Sequence, residues 1–398
     1  MGLSLYEIKK IESIARQQKD GISLAQAALR VGGVHEAVRE HAREVLLTDK
    51  ADYYGDSQGL RSLRWDLTQY FKKRYGAQVS LQQVMVSHGA IGAFAALCAG
   101  ILKPGDEVVL PEPTYPAYKN TVSAVGGRAI FVPAYVSDNG EPWQLDIDRI
   151  HKTITSKTKL LVLANPSNPL GAVLKIEELE KLAHLAEKYG FYLVIDEAYE
   201  DHVFTGKFDS AVGLAARFEH VVRLGSFSKN FAMSGWRVGS MVASQKLIDY
   251  LVPFQDAFFS CPNQLVQFAA SYALSRPDLI KEARDKVQDG YRIAMADLAP
   301  LVENGMIANM VNPSAAFFAF FKVPDCQNTI DLVYDMLHAV RVAVVPGIDF
   351  GPSFGNYIRL CYARNPEYLR DGIGRLKNYF EKTLPKRVHH QGFEQKTL

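Results

Sequence analysis

The densest chemistry in the sequence is the stretch Ser226-Phe227-Ser228-Lys229-Asn230-Phe231-Ala232-Met233-Ser234-Gly235-Trp236-Arg237. A lysine amine can condense with an aldehyde to form a Schiff base. Serine hydroxyls and a guanidinium can hold a phosphate dianion through charge-assisted hydrogen bonds. An aldehyde that carries a phosphate would satisfy both requirements, and the cofactor with both groups is pyridoxal 5'-phosphate.

Three further polar clusters follow short apolar runs, as this one follows 221–224. Gly89-Ala90-Ile91 comes after 84–86, Asn165 to Gly171 after 160–164, and Asp196-Glu197-Ala198-Tyr199 after 191–195. If the runs are strands of one open parallel sheet, all four clusters meet beyond its carboxyl edge, where such sheets bind ligands. Each cluster then has a task. Lys229 would hold the aldehyde and, once displaced, act as general base at the substrate Cα. Asp196 would pair with the protonated pyridine nitrogen and improve the ring as an electron sink. Tyr199 from one side and Asn168 from the other would reach the ring hydroxyl, and Tyr115 would lie against the ring face. The phosphate would sit on the backbone N–H groups of Ala90 and Ile91, after Gly89, at a helix N-terminus. Ser226, Ser228 and Arg237 would complete its shell. Arg359, in Tyr357-Ile358-Arg359-Leu360, would clamp a substrate α-carboxylate. Taken singly, each has a plainer reading: a surface lysine, a helix cap, core aromatics, a turn asparagine, a salt-bridge arginine. Their convergence carries the assignment.

The elements that must position these residues are legible as patterns. Near-continuous apolar, β-branched runs at 84–86, 107–110, 128–132, 160–164, 191–195, 221–224 and 239–243 predict strands buried on both faces, hence a mostly parallel sheet covered by helices. Residues 179–189 predict a helix with Leu179, Leu182, Ala183 and Ala186 on one face and Gly190 as its stop. After about 265 the character changes to a long helical stretch interrupted near Pro277. Strand-like runs at 315–323, 341–345 and 357–362 follow, with helices at 329–340 and 366–384. The expected architecture is α/β: a large domain over 41–265 and a smaller α/β C-terminal domain over 266–385. Residues 1–40 form an arm or part of the small domain, and 386–398 a flexible tail.

Composition narrows the function classes. With 45 basic and 43 acidic side chains the net charge is +2, which gives no reason to expect nucleic acid or an anionic membrane as partner. The four cysteines (Cys98, Cys261, Cys326, Cys361) form no CxxC pair and read as reduced thiols of a cytoplasmic protein. No apolar run reaches membrane-spanning length. No metal is assigned to His389-His390 in the tail.

From about residue 20 to 380 the chain resembles the class I/II aminotransferases of fold type I. The likeness is carried by Tyr54-Gly55-Asp56-Ser57-Gln58-Gly59-Leu60, Ser87-His88-Gly89-Ala90, the Asn165–Gly171 stretch, Asp196-Glu197-Ala198-Tyr199, Ser226–Lys229 with Gly235-Trp236-Arg237, Val345-Pro346-Gly347 and Ile358-Arg359-Leu360. The resemblance implies a pyridoxal phosphate-dependent transfer of an amino group between an L-amino acid and a 2-oxo acid by a ping-pong route. It also implies a homodimer in which Tyr54 reaches the neighbouring subunit's phosphate. Two positions depart from the family pattern. Ala27, in Ala25-Gln26-Ala27, stands where a glycine lies against the substrate carboxylate in many members. Ile91 stands where aspartate-specific relatives can have a lysine, which leans toward neutral or aromatic substrates. The alternatives are a β-eliminating lyase on the same scaffold and, less consistent with about fifty residues before Tyr54, a cofactor-sensing DNA-binding regulator.

Overall fold

Seven of the apolar runs assemble into one sheet in the computed structural model, which describes residues 5–137 and 141–383. In chain order the strands are β1 (Val84–Ser87), β2 (Glu107–Pro111), β3 (Arg128–Val132), β4 (Thr158–Ala164), β5 (Tyr192–Asp196), β6 (Val221–Ser226) and β7 (Gly239–Val242). Their order across the sheet is β1-β7-β6-β5-β4-β2-β3. All neighbours are parallel except β7, which runs antiparallel to β1 and β6. Helices on both faces explain why β1, β2 and β7 are buried at every position, while β3 at the edge is partly open.

The antiparallel β7 has a direct consequence for function. Its start, not its end, lies at the carboxyl edge of its neighbours, so the residues just before Gly239 are delivered there. Gly239 pairs with both Ser87 and Ser226, the last residues of β1 and β6.

A second, three-stranded sheet places Tyr357–Cys361 between Phe318–Lys322 and Val345–Pro346, antiparallel to both. The N-terminal segment joins this region through Ile22–Ser23, which pairs in parallel with Val342–Ala343. Before it, helix α1 (Glu7–Gln17) buries Ile8, Ile11 and Ala15, and its first free N–H groups, on Glu7 and Ile8, donate to the Asp349 carboxylate at 3.2 and 2.9 Å. The helix expected over 179–189 runs Ile176–Tyr189 and ends at Gly190 in the left-handed region (φ 71°). Pro277 starts a new helix, Pro277–Glu303, after Gln264–Leu274, and the C-terminal helix runs Pro366–Thr383. The tail over 386–398, with His389 and His390, lies outside the described residues.

A buried ionic network fixes the chain just past β5. Arg223, on β6, donates to Glu197 and Glu200, each at 2.8 Å. Ser210 Oγ donates to Glu197 at 2.6 Å and Tyr75 Oη to Glu200 at 2.7 Å. Arg74 pairs with Asp201. Removing one partner from such a network would strand a buried charge, at a cost of about 3–5 kcal/mol. The segment after Asp196 is therefore rigid. No helix among the described residues is long and apolar enough to cross a membrane.

Candidate active site

A cavity of about 640 Å³ opens at the carboxyl edge of the large sheet, closed over by α1, the segment 26–30 and Arg359. Lys229, Asp196, Tyr199, Tyr115, Asn168, Ser226, Ser228, Arg237, Ala90, Ile91, Ala27 and Arg359 all line it. Of the residues singled out in the sequence, Gly89 stands beside it as the first residue of α2 (Gly89–Ile101). Tyr54 does not reach it within one chain and is 91% exposed.

One end of the cavity is built for an anion. Gly89 takes φ +72°, and a Cβ there would fall 2.6 Å from Arg237 Nη2. A Cβ on Gly239 would lie 2.5 Å from the Gly89 carbonyl carbon and 2.6 Å from the Ala90 nitrogen. These two absent side chains let the N-terminus of α2, the end of β6 and Arg237 converge. Ser226 Oγ accepts the Ser228 N–H at 3.2 Å and opens a one-turn helix, Phe227–Asn230, that carries Lys229. Arg237 donates to the Ser234 carbonyl at 2.7 Å, in a left-handed conformation (φ 58°). Free N–H groups, two hydroxyls and a guanidinium around one void suit a phosphate.

Lys229 stands mid-cavity. Its Nζ donates to the Ala27 carbonyl and lies 5.8 Å from the centre of the Tyr199 ring. Loss of water around the amine, with the Arg359 and Arg237 cations nearby, pulls its pKa down to about 8 despite opposing contributions from Cys361 and Asp196. Asp196, the last residue of β5, is buried. Its carboxylate accepts from Tyr118 Oη at 2.8 Å and from the Ala198 N–H at 3.0 Å. Burial raises its pKa, and those two donors oppose the rise. Tyr115 meets Tyr118 edge-on with ring centres 5.4 Å apart and shares a hydrogen bond with Tyr6.

Arg359 faces the same void from the small sheet. It is fully buried between Phe318 and Phe350, 4.5 and 4.8 Å from their ring centres. Nη1 donates to Asn168 Oδ1 at 3.0 Å and Nη2 to the Ala25 carbonyl, while Nε has no partner. A buried guanidinium with an unused donor can receive a carboxylate.

Several residues that shape the site leave little trace in the sequence. Tyr118 holds Asp196. Tyr6, the residue before α1, reaches the cavity. His202 Nε2 lies 3.1 Å from the Lys229 carbonyl, and burial takes its pKa down to about 4, so it stays neutral and donates there. Arg364 grips the backbone of the segment opposite Lys229. None of them stands out in the sequence; the one available signal was that Tyr118 lies three residues after Tyr115.

Comparison with known proteins follows the same lines as the geometry. The family model for aminotransferase class I and II matches residues 19–376. An aspartate aminotransferase of Pyrococcus abyssi is 32% identical over 382 residues, 95% of this chain and 96% of that protein. Aromatic-amino-acid aminotransferase 2 of Thermococcus litoralis is 31% identical, with 87% of this chain and 88% of that protein aligned. Among solved structures, aspartate aminotransferase from Thermus thermophilus with maleate superposes with a TM-score of 0.85 at 30% identity, covering 94% of this chain and 97% of that one.

Proposed function

The chain belongs to the class I and II aminotransferase family, and from that premise we propose which residues of this cavity carry out the exchange. It is a pyridoxal phosphate-dependent aminotransferase. The cavity suits the cofactor on three counts. There is a phosphate cradle that a Cβ at Gly89 or Gly239 would fill, a buried carboxylate at Asp196, and a lysine amine between them. When bound, pyridoxal phosphate supplies an aldehyde for amine exchange and a conjugated ring that delocalises the electron pair left at Cα.

The protein's own groups do the rest. The N–H groups of Ala90 and Ile91, with Ser226, Ser228 and Arg237, take the phosphate. Asp196, oriented by Tyr118, would hold the ring nitrogen. Tyr199 and Asn168 would hold the ring hydroxyl, and Tyr115 would pack against the ring. Lys229 would hold the cofactor's aldehyde, and its amine, when neutral, is placed to take and return the substrate Cα proton. An amine titrating near 8 keeps a useful neutral share close to neutral pH. Arg359, steadied by Asn168, holds the α-carboxylate and so fixes which Cα bond faces the ring. The single observation that carries this reading is the buried Arg359 guanidinium, with Nε unpartnered, facing the same void as Lys229 and Asp196.

The mouth of the cavity carries Lys9, Arg16 and Arg30. Glu12 pairs with Arg16 at 3.1 Å and with Arg30 at 3.0 Å. This positive surplus suits a substrate pair in which one member bears a second acidic group. Ile91, an apolar residue in the first turn of α2, suits a neutral or aromatic side chain in the other. The working unit is a homodimer in which Tyr54 reaches the partner's phosphate. This is supported by the exposed aromatic group Tyr53 (72%), Tyr54 (91%), Phe258 (54%) and Phe259 (40%). Four free cysteines support a reducing, cytoplasmic setting.

The test is the visible absorption spectrum of the holoenzyme during titration with single L-amino acids. A band lost with one amino acid and restored by a 2-oxo acid supports transamination by a ping-pong route. Pyruvate and ammonia accumulating with no acceptor present would establish the β-eliminating lyase instead.

A further inference from the structure

Arg364 follows Arg359 by five residues, and it too is buried, at 1% exposure. It forms no ion pair among the described residues, yet its donors are used. Nε donates to the Ser23 carbonyl at 2.8 Å. Nη1 donates to the carbonyls of Ala28 at 2.8 Å and Ala363 at 3.0 Å, and contacts Cys361 Sγ at 3.3 Å. Nη2 donates to the Gln26 carbonyl at 2.6 Å. The contrast with Arg359 separates their roles: Arg359 keeps Nε free, whereas every nitrogen of Arg364 is committed to backbone.

The carbonyls that Arg364 takes alternate with those facing the cavity. Gln26 and Ala28 point to Arg364. Ala25 points to Arg359, and Ala27 to Lys229 Nζ. The chain bends at Gln26, whose carbonyl also accepts the Ala28 N–H at 2.8 Å, and through this turn the carbonyls of Gln26 and Ala28 face Arg364 while those of Ala25 and Ala27 face the cavity. Pinning one set therefore fixes the other. Two more bonds run along the same seam, from the Arg30 N–H to the Ala363 carbonyl at 3.1 Å and from the Cys361 N–H to the Leu24 carbonyl at 2.7 Å. A lysine that holds a proton in this cavity faces Arg359 and Arg237, and the Ala27 carbonyl is the acceptor that steadies it.

We propose that Arg364 is a positioning residue: by locking the carbonyls of Gln26 and Ala28 outward, it fixes the carbonyls of Ala25 and Ala27 as receivers for the Arg359 guanidinium and the Lys229 ammonium. This rests on the roles given above to Lys229 and Arg359. It adds a backbone device, set by a residue that touches neither substrate nor cofactor. With Arg364 gone, the Ala27 carbonyl turns away, the ammonium loses its acceptor, and the neutral amine is favoured. The Lys229 titration then moves down.

The experiment uses apoenzyme, with pyridoxal phosphate as the probe. The rate of its capture is measured against pH for wild type, Arg364→Lys and Arg364→Gln. Arg364→Lys keeps a buried charge, so the test does not hang on Arg364→Gln folding. Losing a hydrogen bond to a charged donor corresponds to a downward shift of the capture midpoint by about one to two pH units. In the holoenzyme, the KM for the amino acid rises more than kcat falls, because Arg359 loses its orienting carbonyl. Circular dichroism and the unfolding temperature report the fold separately. A lower unfolding temperature with an unshifted midpoint and an unchanged KM would overturn the proposal, leaving Arg364 a structural buttress. Wild-type apoenzyme that fails to capture the probe at Lys229 would overturn the cofactor assignment and this proposal together. An unshifted midpoint in variants of a capturing parent would overturn this proposal alone.

Discussion

Replacing Arg359 with lysine keeps a positive charge at the α-carboxylate site but removes the fork. In the structure, Nη1 is 3.0 Å from Asn168 Oδ1, Nη2 is on the Ala25 carbonyl and Nε is free. A carboxylate that docks on the free edge gains paired, charge-assisted contacts in a site between two phenylalanine rings. An ammonium offers one point of attachment and cannot hold Asn168, Ala25 and the substrate in the same geometry. The loss is one hydrogen bond to a charged group, about 1.5–3 kcal/mol. At about 1.36 kcal/mol per decade, kcat/KM for α-amino acids should fall about 10- to 150-fold. The assay is a single-turnover half-reaction followed by absorbance, run with an amino acid and with a primary amine of similar size that lacks the carboxylate. The carboxylate-free amine should react at the same rate with both enzymes. Equal losses for the two substrates, or an unchanged kcat/KM for the amino acid, would refute the assignment of Arg359. An unfolding temperature near wild type would confirm that the loss is local.

Three further outcomes follow from the geometry. Capture of pyridoxal phosphate by apoenzyme requires a neutral Lys229. Because burial depresses that amine to about 8, the stopped-flow rate should climb with pH through a midpoint of about 8 before levelling off; a midpoint near the ordinary 10.5 would contradict the site's electrostatics. Gly239→Ala forces a methyl against Gly89 and Ala90. It should lower stability by about 1–3 kcal/mol in thermal or denaturant unfolding and weaken cofactor retention on dialysis. Arg30→Ala removes a cation from the cavity mouth and should raise KM for a dicarboxylic substrate several-fold while leaving a neutral amino acid unaffected; steady-state kinetics with both classes decide it.

The large sheet was readable because most of its strands are buried on both faces and left near-continuous apolar runs, four of them followed by a polar cluster. That placed Asp196, Lys229 and Asn168 at one edge before any coordinates. Side-chain type could also flag Arg359, since an arginine inside an apolar strand needs a partner. What could not be read were contacts between distant segments with no side-chain signature. Tyr118 is one aromatic among many until its hydroxyl is found 2.8 Å from Asp196. Arg364 donates chiefly to carbonyls, which every residue has, so its targets at Ser23, Gln26 and Ala28 carry no pattern at all. Tyr6 enters the cavity only because α1 is moored to Asp349, a contact across more than three hundred residues of chain. Gly89 was legible as part of the phosphate turn, whereas Gly239 was only the first residue of an apolar run. Their meaning depends on the 2.5–2.6 Å distances that a methyl would create.

Because the wall opposite Lys229 presents main-chain oxygens, its charge recognition is independent of which side chains the segment carries. Ala25, Gln26, Ala27 and Ala28 can each be exchanged without deleting an acceptor, since every amino acid brings the same carbonyl. The side chains at 26–28, which line the pocket, can thereby vary its shape and chemistry, while the oxygens that receive Lys229 and Arg359 persist. Such a division makes substrate preference easy to alter by mutation and proton handling hard to lose. Directed evolution for new amino donors should accordingly find permissive positions at 26–28 and an intolerant one at 364.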